Sequence, residues 1–515
     1  MSDTIVVTSF DASYIELDMD IGIQREISEF FTFYAHNYKF MTRYKNGLWD
    51  GKIRLYNFIS STLPAGLFNI LVNFADERGY EIIDKRYIPD TGKFSMDYFE
   101  ALNVHSKGEK IDFRKHQIES IKEVINEKRS TIVSATSSGK SLTIYGLVRY
   151  FSKFLDTKIL IITPTVNLVT QMYKDFEDYS SEVDWNVEDN VHMIYDYKGV
   201  TKDSDKQIYI STWQSIYKQP KNYFKKFGFV IFDEVHQATA DSVVKIMDSS
   251  VNAWIRAGFT GTLKSEDLHR LKVNGLFGKI KNVISTREMI DAGYASKLHI
   301  KVVILEYNES IAKEINRRIV SKTPAGKKIV RNNYANEINY ITELDCRNTF
   351  IVNLVEALKG NVLVLFNKIE KHGKPLYKKL KKRLDNRKEI YYISGETKSE
   401  DREYIRNRME EGDSNVLVAS YGTLSTGVNI KNLKYVIFAS PYKSEIKVLQ
   451  SIGRVLRISD KENKAIVFDI VDDMRYKSKN NYCYSHFLKR LGMYKKEKFP
   501  MSVSKYKLIK SNNVC

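Results

Sequence analysis

Apolar residues in this chain occur mainly as short uninterrupted runs, separated by charged stretches with helical spacing. Runs of four to six β-forming residues without polar alternation are typical of parallel strands that helices bury on both faces. Because about ten strands in a single sheet would leave too much chain in insertions, the pattern predicts two separate α/β sheets. The first series of runs comprises Lys158–Pro164, Lys206–Gln214, Phe227–His236 and Ala257–Thr262, and the second comprises Asn361–Lys368, Glu389–Gly395, Ser414–Gly422, Leu433–Pro441 and Lys464–Asp473.

The remaining segments set the predicted domain boundaries. At 515 residues the chain exceeds what one hydrophobic core usually serves. Residues 308–358 are charged and mostly helical in pattern, with a turn at Pro324-Ala325-Gly326, and the basic aromatic tail after Tyr476 is also predicted to be helical. We therefore expect a small N-terminal α/β domain at 1–108, a first sheet domain at 109–305, a second at 306–475 and a short basic helical C-terminal element at 476–515.

The N-terminal segment Asn37–Asn57 combines aromatic and basic residues. Asn46-Gly47 and Asp50-Gly51 are turn signals between stretches that have the pattern of strands. Aromatic side chains interleaved with cations can stack on exposed bases while neutralising phosphates, or the aromatics can form the core of a small domain. We expect the core role for most of the aromatics and nucleic-acid contact for the basic residues. The aromatics are Tyr38, Phe40, Tyr44 and Trp49, and the basic residues are Lys39, Arg43, Lys45, Lys52 and Arg54.

Charge and cysteine content narrow the partners and the compartment. The 81 lysines and arginines against 63 acidic residues leave a net charge of +18, which points to a polyanion such as nucleic acid. Three widely spaced cysteines suit neither a paired zinc site nor a disulfide framework, which favours a reducing compartment. The acidic N-terminus lacks a signal-peptide pattern, and no run approaches the ~18 apolar residues of a membrane span. We expect a soluble cytoplasmic protein with no membrane partner.

A candidate phosphate-binding loop lies at Ile132–Ser141, which reads IVSATSSGKS. Its end matches the G-x-x-x-x-G-K-[ST] pattern, but Ser134 replaces the first glycine and fits only if its φ is negative. A β-branched strand end precedes the loop and a helix-like segment follows it, so backbone N–H groups can face phosphates, Lys140 can supply positive charge and Ser141 can ligate Mg²⁺. The predicted cofactor-binding residues of the loop are Thr136, Ser137, Ser138, Gly139, Lys140 and Ser141.

An acidic pair follows the apolar run that ends at Phe232. Asp233 is predicted at the carboxyl end of that strand, where ligands of open α/β sheets bind. There Asp233 can hold Mg²⁺ together with Ser141, and Glu234 can orient and deprotonate an attacking water. The alternative is a surface acidic pair without chemistry, and His236 alone is more typical of a structural residue. With the phosphate loop about 90 residues upstream, the sequence favours a nucleoside triphosphatase site.

Two arginines of the second series complete the candidate chemistry. Arg454 and Arg457 lie three residues apart in QSIGRVLR, on one face of a helical turn. Such a pair can stabilise charge on a transferred phosphoryl group as an arginine finger supplied by a second domain. Alone, the pair would be a solvated basic face. Downstream of Lys140 and Asp233, it indicates catalysis.

The motifs together resemble those of superfamily 2 helicases. Eight motifs agree, and the N-terminal NGLWDGKIRLYN with the Trp213-Gln214 pair makes the chain similar to the UvsW helicases of T-even-like phages, ATP-driven enzymes that act on branched DNA. The resemblance implies two tandem RecA-like domains. The motifs are Phe113–Gln117, SATSSGKS, Thr163–Thr165, Ser211–Ser215, D-E-V-H, Thr260–Thr262, Ser420–Ile430 and QSIGRVLR.

The same resemblance implies residue roles. Arg114 and Gln117 are expected to read the adenine edge, and Gly427 and Asn429 to meet the ribose, although Asn429 stands where an Asp is common. Coupling of ATP state to movement is expected at His236, Thr260, Thr262 and Gln450. Nucleic-acid contact is expected at Thr165, Thr212, Trp213, Ser394 and Ser420, although each of the hydroxyls could equally cap a helix.

The sequence thus predicts an ATP-dependent DNA helicase or translocase with Mg–ATP between two RecA-like domains. Expected partners are branched or single-stranded DNA, RNA–DNA hybrids and a single-strand-binding protein, in the host cytoplasm if the protein is phage-encoded. The alternatives are a translocase subunit of a restriction or repair complex, an RNA helicase, and a nucleic-acid-binding scaffold that uses ATP as a switch.

Overall fold

The computed structural model describes residues 3–195, 204–238, 240–263, 266–318, 320–322, 328–330, 334–384, 387–425, 430, 432–441, 448, 451–453, 464–475 and 480–508. The chain divides into two compact units, Met1–Ser134 with Ser138–Ile284, and Ala135–Ser137 with Ser285–Cys515. Each unit contains one sheet of seven strands, counted over these residues, so the two predicted α/β sheets are confirmed.

The first unit begins with a small α/β domain. Its strands are β1 (Thr4–Ser9), β2 (Tyr14–Asp18), β3 (Thr32–Tyr34), β4 (Lys52–Arg54), β5 (Thr62–Pro64) and β6 (Glu81–Lys85), and its helices are α1 (Ile21–Phe30), α2 (Thr42–Lys45) and α3 (Phe68–Arg78). One sheet has the order β5-β2-β1-β6, with β1 antiparallel to β2 and parallel to β6. Alternate residues of β1, Ile5 and Val7, are buried against Ile27 and Phe74 of the helices.

The segment between β3 and β4 differs from its predicted structure. Tyr38–Phe40 form a 3₁₀ turn and Thr42–Lys45 form helix α2, where strands were expected. The predicted turns are present, since Gly47 and Gly51 have φ of +70° and +80°. Strands β3 and β4 pair antiparallel and close the segment at its base. The aromatic positions therefore follow a helical turn and not the alternation of a strand.

The aromatic side chains of this segment lie outside the buried core of the N-terminal domain. Phe40 is 77% exposed and Tyr44 is also exposed, whereas Tyr38 and Trp49 are half-buried. The core role expected for most of these aromatics is therefore wrong, because the core of the domain is built from other apolar residues. The Trp49 indole N–H donates to the carbonyl of Lys52 at 2.9 Å and fixes the end of the segment.

The rest of the first unit contains a parallel sheet with its helices and a short antiparallel pair formed by its first two strands. The strands are β7 (His105–Ser106), β8 (Glu109–Lys110), β9 (Arg129–Ser134), β10 (Lys158–Thr163), β11 (Val191–Ile194), β12 (Ile208–Thr212), β13 (Phe227–Asp233), β14 (Ile255–Thr260) and β15 (Lys279–Ile284). The helices are α4 (Met96–Ala101), α5 (Lys115–Glu127), α6 (Lys140–Phe154), α7 (Val166–Tyr179), α8 (Val187–Asn190), α9 (Trp213–Ile216), α10 (Lys221–Phe224), α11 (Asp241–Ser249) and α12 (Asp267–Phe277).

The sheet order β11-β12-β10-β13-β14-β9-β15 is parallel throughout. Two separate clusters of buried apolar residues pack on it, one containing Ile161 and Ile231 and the other containing Leu160 and Val230. Because neighbouring residues of one strand enter different clusters, both faces are covered, which explains the uninterrupted apolar runs. This is the RecA-like arrangement that the sequence predicts.

The boundary expected at 108/109 lies too far along the chain. Phe99, Leu102 and Val104 pack in the same core as Tyr145 and Phe151 of α6. Helix α4 and the residues after it therefore belong to the first RecA-like domain by packing. The border with the N-terminal domain lies between β6 and α4, because apolar contact and not the aromatic composition decides it.

The N-terminal domain is joined to the first RecA-like domain by buried hydrogen bonds. The Arg256 guanidinium is 1% exposed and donates to Ser13 Oγ at 2.7 Å and to the carbonyls of Met247 and Ser250, both at 3.0 Å. Ser13 in turn donates to the Met247 carbonyl at 3.0 Å. At Gly66 a Cβ would lie 1.9 Å from the carbonyl oxygen of Asn274, so the two backbones meet where no side chain fits. We call this contact the Arg256 junction.

The second unit contains a second parallel sheet with its helices and a short antiparallel pair formed by the second and third of its strands. The strands are β16 (Lys297–Tyr307), β17 (Val320–Lys322), β18 (Lys328–Val330), β19 (Val362–Phe366), β20 (Ile390–Ile393), β21 (Val416–Ser420), β22 (Tyr435–Phe438), β23 (Lys464–Asp473) and β24 (Met501–Leu508). The helices are α13 (Thr286–Asp291), α14 (Glu309–Arg318), α15 (Tyr334–Glu343), α16 (Asp345–Ala357), α17 (Lys374–Leu384), α18 (Ser399–Glu411), α19 (Tyr421–Ser425) and α20 (Tyr482–Lys496). The sheet order is β20-β21-β19-β22-β23-β16-β24.

Two predicted boundaries of the second unit need correction. Strand β16 crosses the expected border at 305/306, because it pairs with β23 along Lys297–Glu306. The C-terminal element is only partly helical: after α20, strand β24 pairs with β16 at the edge of the sheet. Arg490 of α20 forms a buried ion pair with Asp469 of β23 at 2.8 Å, which ties the tail to the sheet. The tail is thus part of the second RecA-like domain.

A second buried charge cluster lies at the end of β23. Arg347 of α16 and Asp472 are both fully buried and form two hydrogen bonds, at 2.7 and 3.1 Å. The Tyr307 hydroxyl donates to the same carboxylate at 2.7 Å. The side chain of His372 is buried, and its Nδ1 lies within hydrogen-bonding distance of Ser440 Oγ, at 2.8 Å. Burial, together with the Arg347 charge, lowers the pKa of His372 to about 3.

Within the ranges described above, no helix is long and apolar enough to cross a membrane.

Candidate nucleotide site

The predicted phosphate loop connects β9 to α6 in the first unit. Ser134 is the last residue of β9 and does not have positive φ, so a serine is accommodated where the pattern has its first glycine. The left-handed positions fall later, at Ser137 with φ +69° and at Gly139 with φ +82°. The N-terminus of α6 follows at Lys140, so the backbone N–H groups of its first turn lack intrahelical acceptors.

The loop is supported from α5. Gln117 Nε2 donates to the carbonyls of Ser138 at 3.2 Å and Gly139 at 3.1 Å, while its Oε1 accepts from the Arg114 backbone N–H at 2.8 Å. His116 Nε2 lies 2.8 Å from the Ser138 carbonyl, and burial lowers its pKa. A Cβ at Gly139 would lie 2.3 Å from Gln117 Nε2, so both the φ and the contact require glycine. Gln117 therefore shapes the loop directly.

The charged and hydroxyl groups of the loop already have polar contacts. Lys140 Nζ donates to the Ser134 carbonyl at 3.3 Å, and Ser134 Oγ donates to Ser138 Oγ at 2.5 Å. The Ser141 hydroxyl lies 3.1 Å from the hydroxyl of Tyr179, the last residue of α7. A cation bound by the Ser141 hydroxyl would compete with this Tyr179 contact.

Asp233 has the electrostatics of a carboxylate that needs a cation. It ends β13, and its Oδ1 accepts the Glu234 backbone N–H at 3.0 Å. Loss of solvation and the neighbouring Glu234 charge raise the pKa of Asp233 to about 7, and the Lys140 ammonium partly opposes the shift. Lys140 and Asp233, predicted from separate motifs, thus act on one another electrostatically.

Glu234 is the centre of a polar cluster beyond β13 and β14. Its Oε2 lies 3.1 Å from His236 Nδ1 and 3.4 Å from the Thr260 hydroxyl oxygen. Thr260 Oγ1 lies 3.1 Å from the same His236 nitrogen and donates to the Thr262 carbonyl at 2.9 Å. Glu234 has φ +59° and ψ +49°, a left-handed conformation that costs a non-glycine residue about 1 kcal/mol. The fold accepts this cost while orienting the carboxylate.

Three of the four hydroxyls predicted to contact nucleic acid have structural partners. Thr212 Oγ1 accepts the Ser215 backbone N–H at 3.3 Å and caps α9, and Ser420 Oγ accepts the Thr423 N–H at 3.1 Å and caps α19. Thr165 Oγ1 is buried without a hydrogen-bond partner.

Two further positions of this set are packed into their domains. Ser394 is 3% exposed, and its Oγ accepts the Glu396 N–H at 3.4 Å. Trp213 packs against the apolar core beside Tyr217, with ring centroids 6.3 Å apart. The helix-cap alternative is the observed geometry for Thr212 and Ser420 only, and nucleic-acid contact stays a prediction for all four hydroxyls.

Five predicted residues of the second domain lie outside the described residues. They are Gly427, Asn429, Gln450, Arg454 and Arg457.

Sequence reasoning missed three residues that support the site. His116, Tyr179 and His269 contact the Ser138 carbonyl, the Ser141 hydroxyl and the His236 carbonyl, the last at 3.0 Å. His116 directly precedes Gln117 and could have been found from that position. Tyr179 is the last residue of α7 and His269 lies in the first turn of α12, and no local sequence pattern marks either residue.

Three protein families match successive parts of the chain. The family "DNA helicase UvsW, N-terminal" matches residues 4–84, "Type III restriction enzyme, res subunit" matches residues 110–265, and "Helicase conserved C-terminal domain" matches residues 346–459. The matches fall on the N-terminal domain and on both RecA-like domains.

One relative extends the similarity over nearly the whole chain. The ATP-dependent DNA helicase uvsW of Enterobacteria phage T4 is 32% identical over 516 residues, which cover 96% of this chain and 98% of that protein. The chain belongs to the UvsW family of ATP-dependent DNA helicases. The predicted UvsW resemblance and the predicted enzyme class are confirmed.

More distant proteins share parts of this UvsW-family helicase. The DNA 3'-5' translocase XPB2 of Sulfurisphaera tokodaii is 26% identical over 411 residues, covering 76% of this chain and 89% of that protein. The structure of the type ISP restriction-modification enzyme LlaBIII has a TM-score of 0.55 at 15% identity, covering 78% of this chain and 32% of that one, which supports the fold alone. Use of ATP follows from the family.

Proposed function

We propose that this helicase uses Mg–ATP to act on branched DNA, namely forks, Holliday junctions, D-loops and R-loops, in phage recombination, repair and replication. The observation that carries the proposal is the Arg256 junction, which mounts the UvsW-type N-terminal domain on the first RecA-like domain. A domain so mounted presents an exposed basic and aromatic segment at a fixed position on the motor. A branch offers duplex and unpaired strands together, which suits a motor with such a second contact.

In the first domain, Lys140 and the first turn of α6 bind the phosphates of ATP in our proposal. Glu234 orients and deprotonates the attacking water, because the Thr260 and His236 contacts direct its carboxylate. Gln117 joins the loop to the adenine edge with Arg114, since its amide already bonds the loop carbonyls. Movement of His236, Thr260 and Thr262 then follows any change at Glu234.

Mg²⁺ fits the residues at this site. A carboxylate whose pKa is raised to about 7 by desolvation gains from a bound cation, and Ser141 supplies a second oxygen. Among the described residues no group of three or more His, Cys, Asp and Glu side chains is placed to hold a metal, which suits Mg²⁺ held by one carboxylate and substrate phosphates. When bound, Mg²⁺ would neutralise charge on the phosphates.

The roles of the second domain rest on the motif pattern. We propose that Arg454 and Arg457 stabilise the transferred phosphoryl group, that Gly427 and Asn429 meet the ribose and that Gln450 couples ATP state to movement. We propose that the nucleic-acid strand is contacted at Thr165, Thr212, Trp213, Ser394 and Ser420. At Thr212 and Ser420, where the hydroxyl caps a helix, the contacts would come from backbone groups.

Unwinding of matched substrates tests the function. Forked DNA, forked RNA and a forked RNA–DNA hybrid of one sequence are compared with Mg–ATP, alongside a blunt DNA duplex. We expect unwinding of forked DNA and of the hybrid, with little of the blunt duplex, because branch contact precedes motor engagement.

Two outcomes would contradict the proposal. Equal rates on forked and blunt DNA would remove branch recognition and favour a translocase of the restriction type. Unwinding confined to forked RNA would replace the DNA assignment of the substrate.

A further inference from the structure

A groove on the N-terminal domain lies outside the nucleotide site. It opens between α1 and the β3–β4 pair and has a volume of about 450 Å³. Its lining combines aromatic rings with cations: Arg25, Ser28, Glu29, Thr32, Phe33, Tyr34, Lys52, Arg54 and Phe58. We call it the β3–β4 groove.

The groove carries aromatic rings that the fold does not use as core. Tyr34 is 56% exposed and Phe58 is 40% exposed. Tyr34 stacks on Tyr38 of the adjoining segment, with ring centroids 4.6 Å apart and planes 24° from parallel. Lys52 Nζ lies 5.5 Å from the centroid of the Tyr34 ring. Exposed and already stacked rings are the surface on which an unpaired base binds with little ordering cost.

The charges around the groove favour a polyanion. Arg25, Lys52 and Arg54 face it against a single acidic residue, Glu29. Arg25 is exposed and forms no salt bridge within the described part of the chain, and the Arg54–Asp50 pair is exposed on both sides, so it is weak enough to be exchanged for a phosphate. The adjoining turn adds the exposed cations Lys39, Arg43 and Lys45.

Size and chemistry decide the occupant. A groove of this volume accommodates one nucleotide and is far too narrow for a duplex, and a base that stacks on Tyr34 must be out of its own stack. We propose that the β3–β4 groove binds an unpaired nucleotide of single-stranded DNA at the branch, with the base on Tyr34 and Phe58 and the phosphates on Arg25 and Lys52. The inference rests on the proposed function, whose branch contact it places at named residues.

The test measures binding of the full chain to a fork with single-stranded arms and to a blunt duplex, by fluorescence anisotropy without nucleotide. Tyr34→Ala should weaken fork binding by about tenfold, since stacking on one aromatic residue carries that much, and leave duplex binding unchanged. Arg25→Ala should lower the slope of log affinity against log salt by about 0.7, one single-strand phosphate. Both side chains are exposed, so the fold should persist, which the ATPase rate at saturating DNA checks.

Matched controls remove similar groups from the same domain outside the groove. Phe10→Ala removes an aromatic ring that is 63% exposed, and Lys85→Ala removes an exposed cation of β6. Both should bind the fork as the unaltered chain does. A 2-aminopurine in the unpaired arm should be quenched by the unaltered chain and by Phe10→Ala, and should recover its fluorescence with Tyr34→Ala.

The two proposals fail in different ways. Suppose the unaltered chain prefers forks, but the Tyr34→Ala variant binds the fork with the same affinity and quenches 2-aminopurine to the same extent. The groove assignment is then wrong and the branch function stands. If the unaltered chain binds fork and duplex alike while Tyr34→Ala still abolishes the quenching, the groove binds single strands and the branch function is wrong.

Discussion

Asp233 is the last residue of β13 and Asp472 is the last but one of β23, so each lies at the carboxyl end of a strand of a parallel sheet, one in each unit, yet their surroundings are opposite. Asp472 is fully buried and receives two hydrogen bonds from Arg347 and one from Tyr307. Asp233 is only half-buried and has no salt bridge in the described part of the chain, and its pKa is raised to about 7. The carboxylate of Asp472 therefore has hydrogen-bond donors and a counter-charge, whereas the carboxylate of Asp233 lacks a counter-charge that compensates its loss of solvation.

The difference separates structure from chemistry. A buried carboxylate with a complete set of donors has no capacity for a ligand, so it contributes to holding α16 on β23. The ionised Asp233 carboxylate is unfavourable in the free protein, because it is desolvated and lies next to the Glu234 charge. A bound cation would stabilise this ionised form. The unsatisfied charge of Asp233, and not its burial, is therefore the ground on which we propose it as the functional aspartate.

The largest effect is expected for Asp233→Asn. Loss of the proposed Mg²⁺ ligand should lower kcat of the DNA-stimulated ATPase by about 10³-fold or more. In the free protein at pH 8 the same change should raise the free energy of unfolding by about 2 kcal/mol, because a desolvated, repelled charge is removed. ATPase assays and urea unfolding without Mg²⁺ measure the two effects.

Lys140→Ala is the companion variant for activity. It should also abolish ATP hydrolysis while DNA binding persists, since the loop charge serves phosphates. An Asp233→Asn protein that hydrolyses ATP normally, or that unfolds more easily, would remove the contrast with Asp472.

A smaller effect, on stability, is expected for Asp472→Asn. The substitution leaves the Arg347 guanidinium buried without its counter-charge, which should lower the free energy of unfolding by about 3–5 kcal/mol. Asp345→Asn is the matched control, because Asp345 pairs with Lys379 at the surface and should cost less than about 1 kcal/mol. Urea unfolding measures both. A loss for Asp472→Asn no larger than for the control would mean that the buried pair is not structural.

The smallest expected effect is the pH dependence that His372 gives the second unit. Its pKa of about 3 in the folded state lies below the ordinary value near 6.5, so below pH 6.5 the unfolded chain takes up a proton that the folded chain does not. Stability is full above pH 6.5 and is lost as pH falls towards 3, by about 2–3 kcal/mol at pH 4.5. Asp233 has the opposite sign, since its raised pKa makes stability fall as pH rises from about 4 to 7.

His372→Gln should flatten the acid side of the stability profile, and Asp233→Asn should flatten the neutral side. Thermal unfolding across pH 4.5–8 without Mg²⁺ checks both. An acid side that stays as steep in His372→Gln would assign the loss to other groups.

Much of the motor was predictable because its signals are local. Buried parallel strands leave uninterrupted apolar runs, and the ends of those runs place Ser134 and Asp233 at the carboxyl edge of one sheet. The substitution of Ser134 for glycine was resolved by one backbone angle, and the left-handed positions fall at Ser137 and Gly139. The candidate site is built from residues at strand ends and from a glycine with positive φ, and both features are marked by local sequence patterns.

The parts that the sequence did not predict depend on distant partners. Strand β24 lies at the sheet edge and is mostly exposed, so its MSVSKYKL has no apolar run to mark it. From the sequence, the hydroxyls of Thr212 and Ser420 could be either nucleic-acid contacts or helix caps. The structure distinguishes the two roles, because each hydroxyl accepts the backbone N–H of the residue three positions later. The exposure of Phe40 follows from helical turns between β3 and β4, where the aromatic spacing resembled strand alternation. In such segments the secondary-structure propensity of the residues is weak, and tertiary contacts determine which structure forms.

The Arg256 junction determines how motion is transmitted. Two buried hydrogen bonds of this junction cross between the N-terminal domain and the first RecA-like domain, from Arg256 to Ser13 and from Ser13 to the Met247 carbonyl, and both domains belong to one compact unit. We therefore expect any rotation of that motor domain during an ATP cycle to carry the N-terminal domain through the same angle, with a displacement that grows with distance from the rotation axis. The junction would then act as a lever with a fixed arm, whose stroke is set by the length of the N-terminal domain.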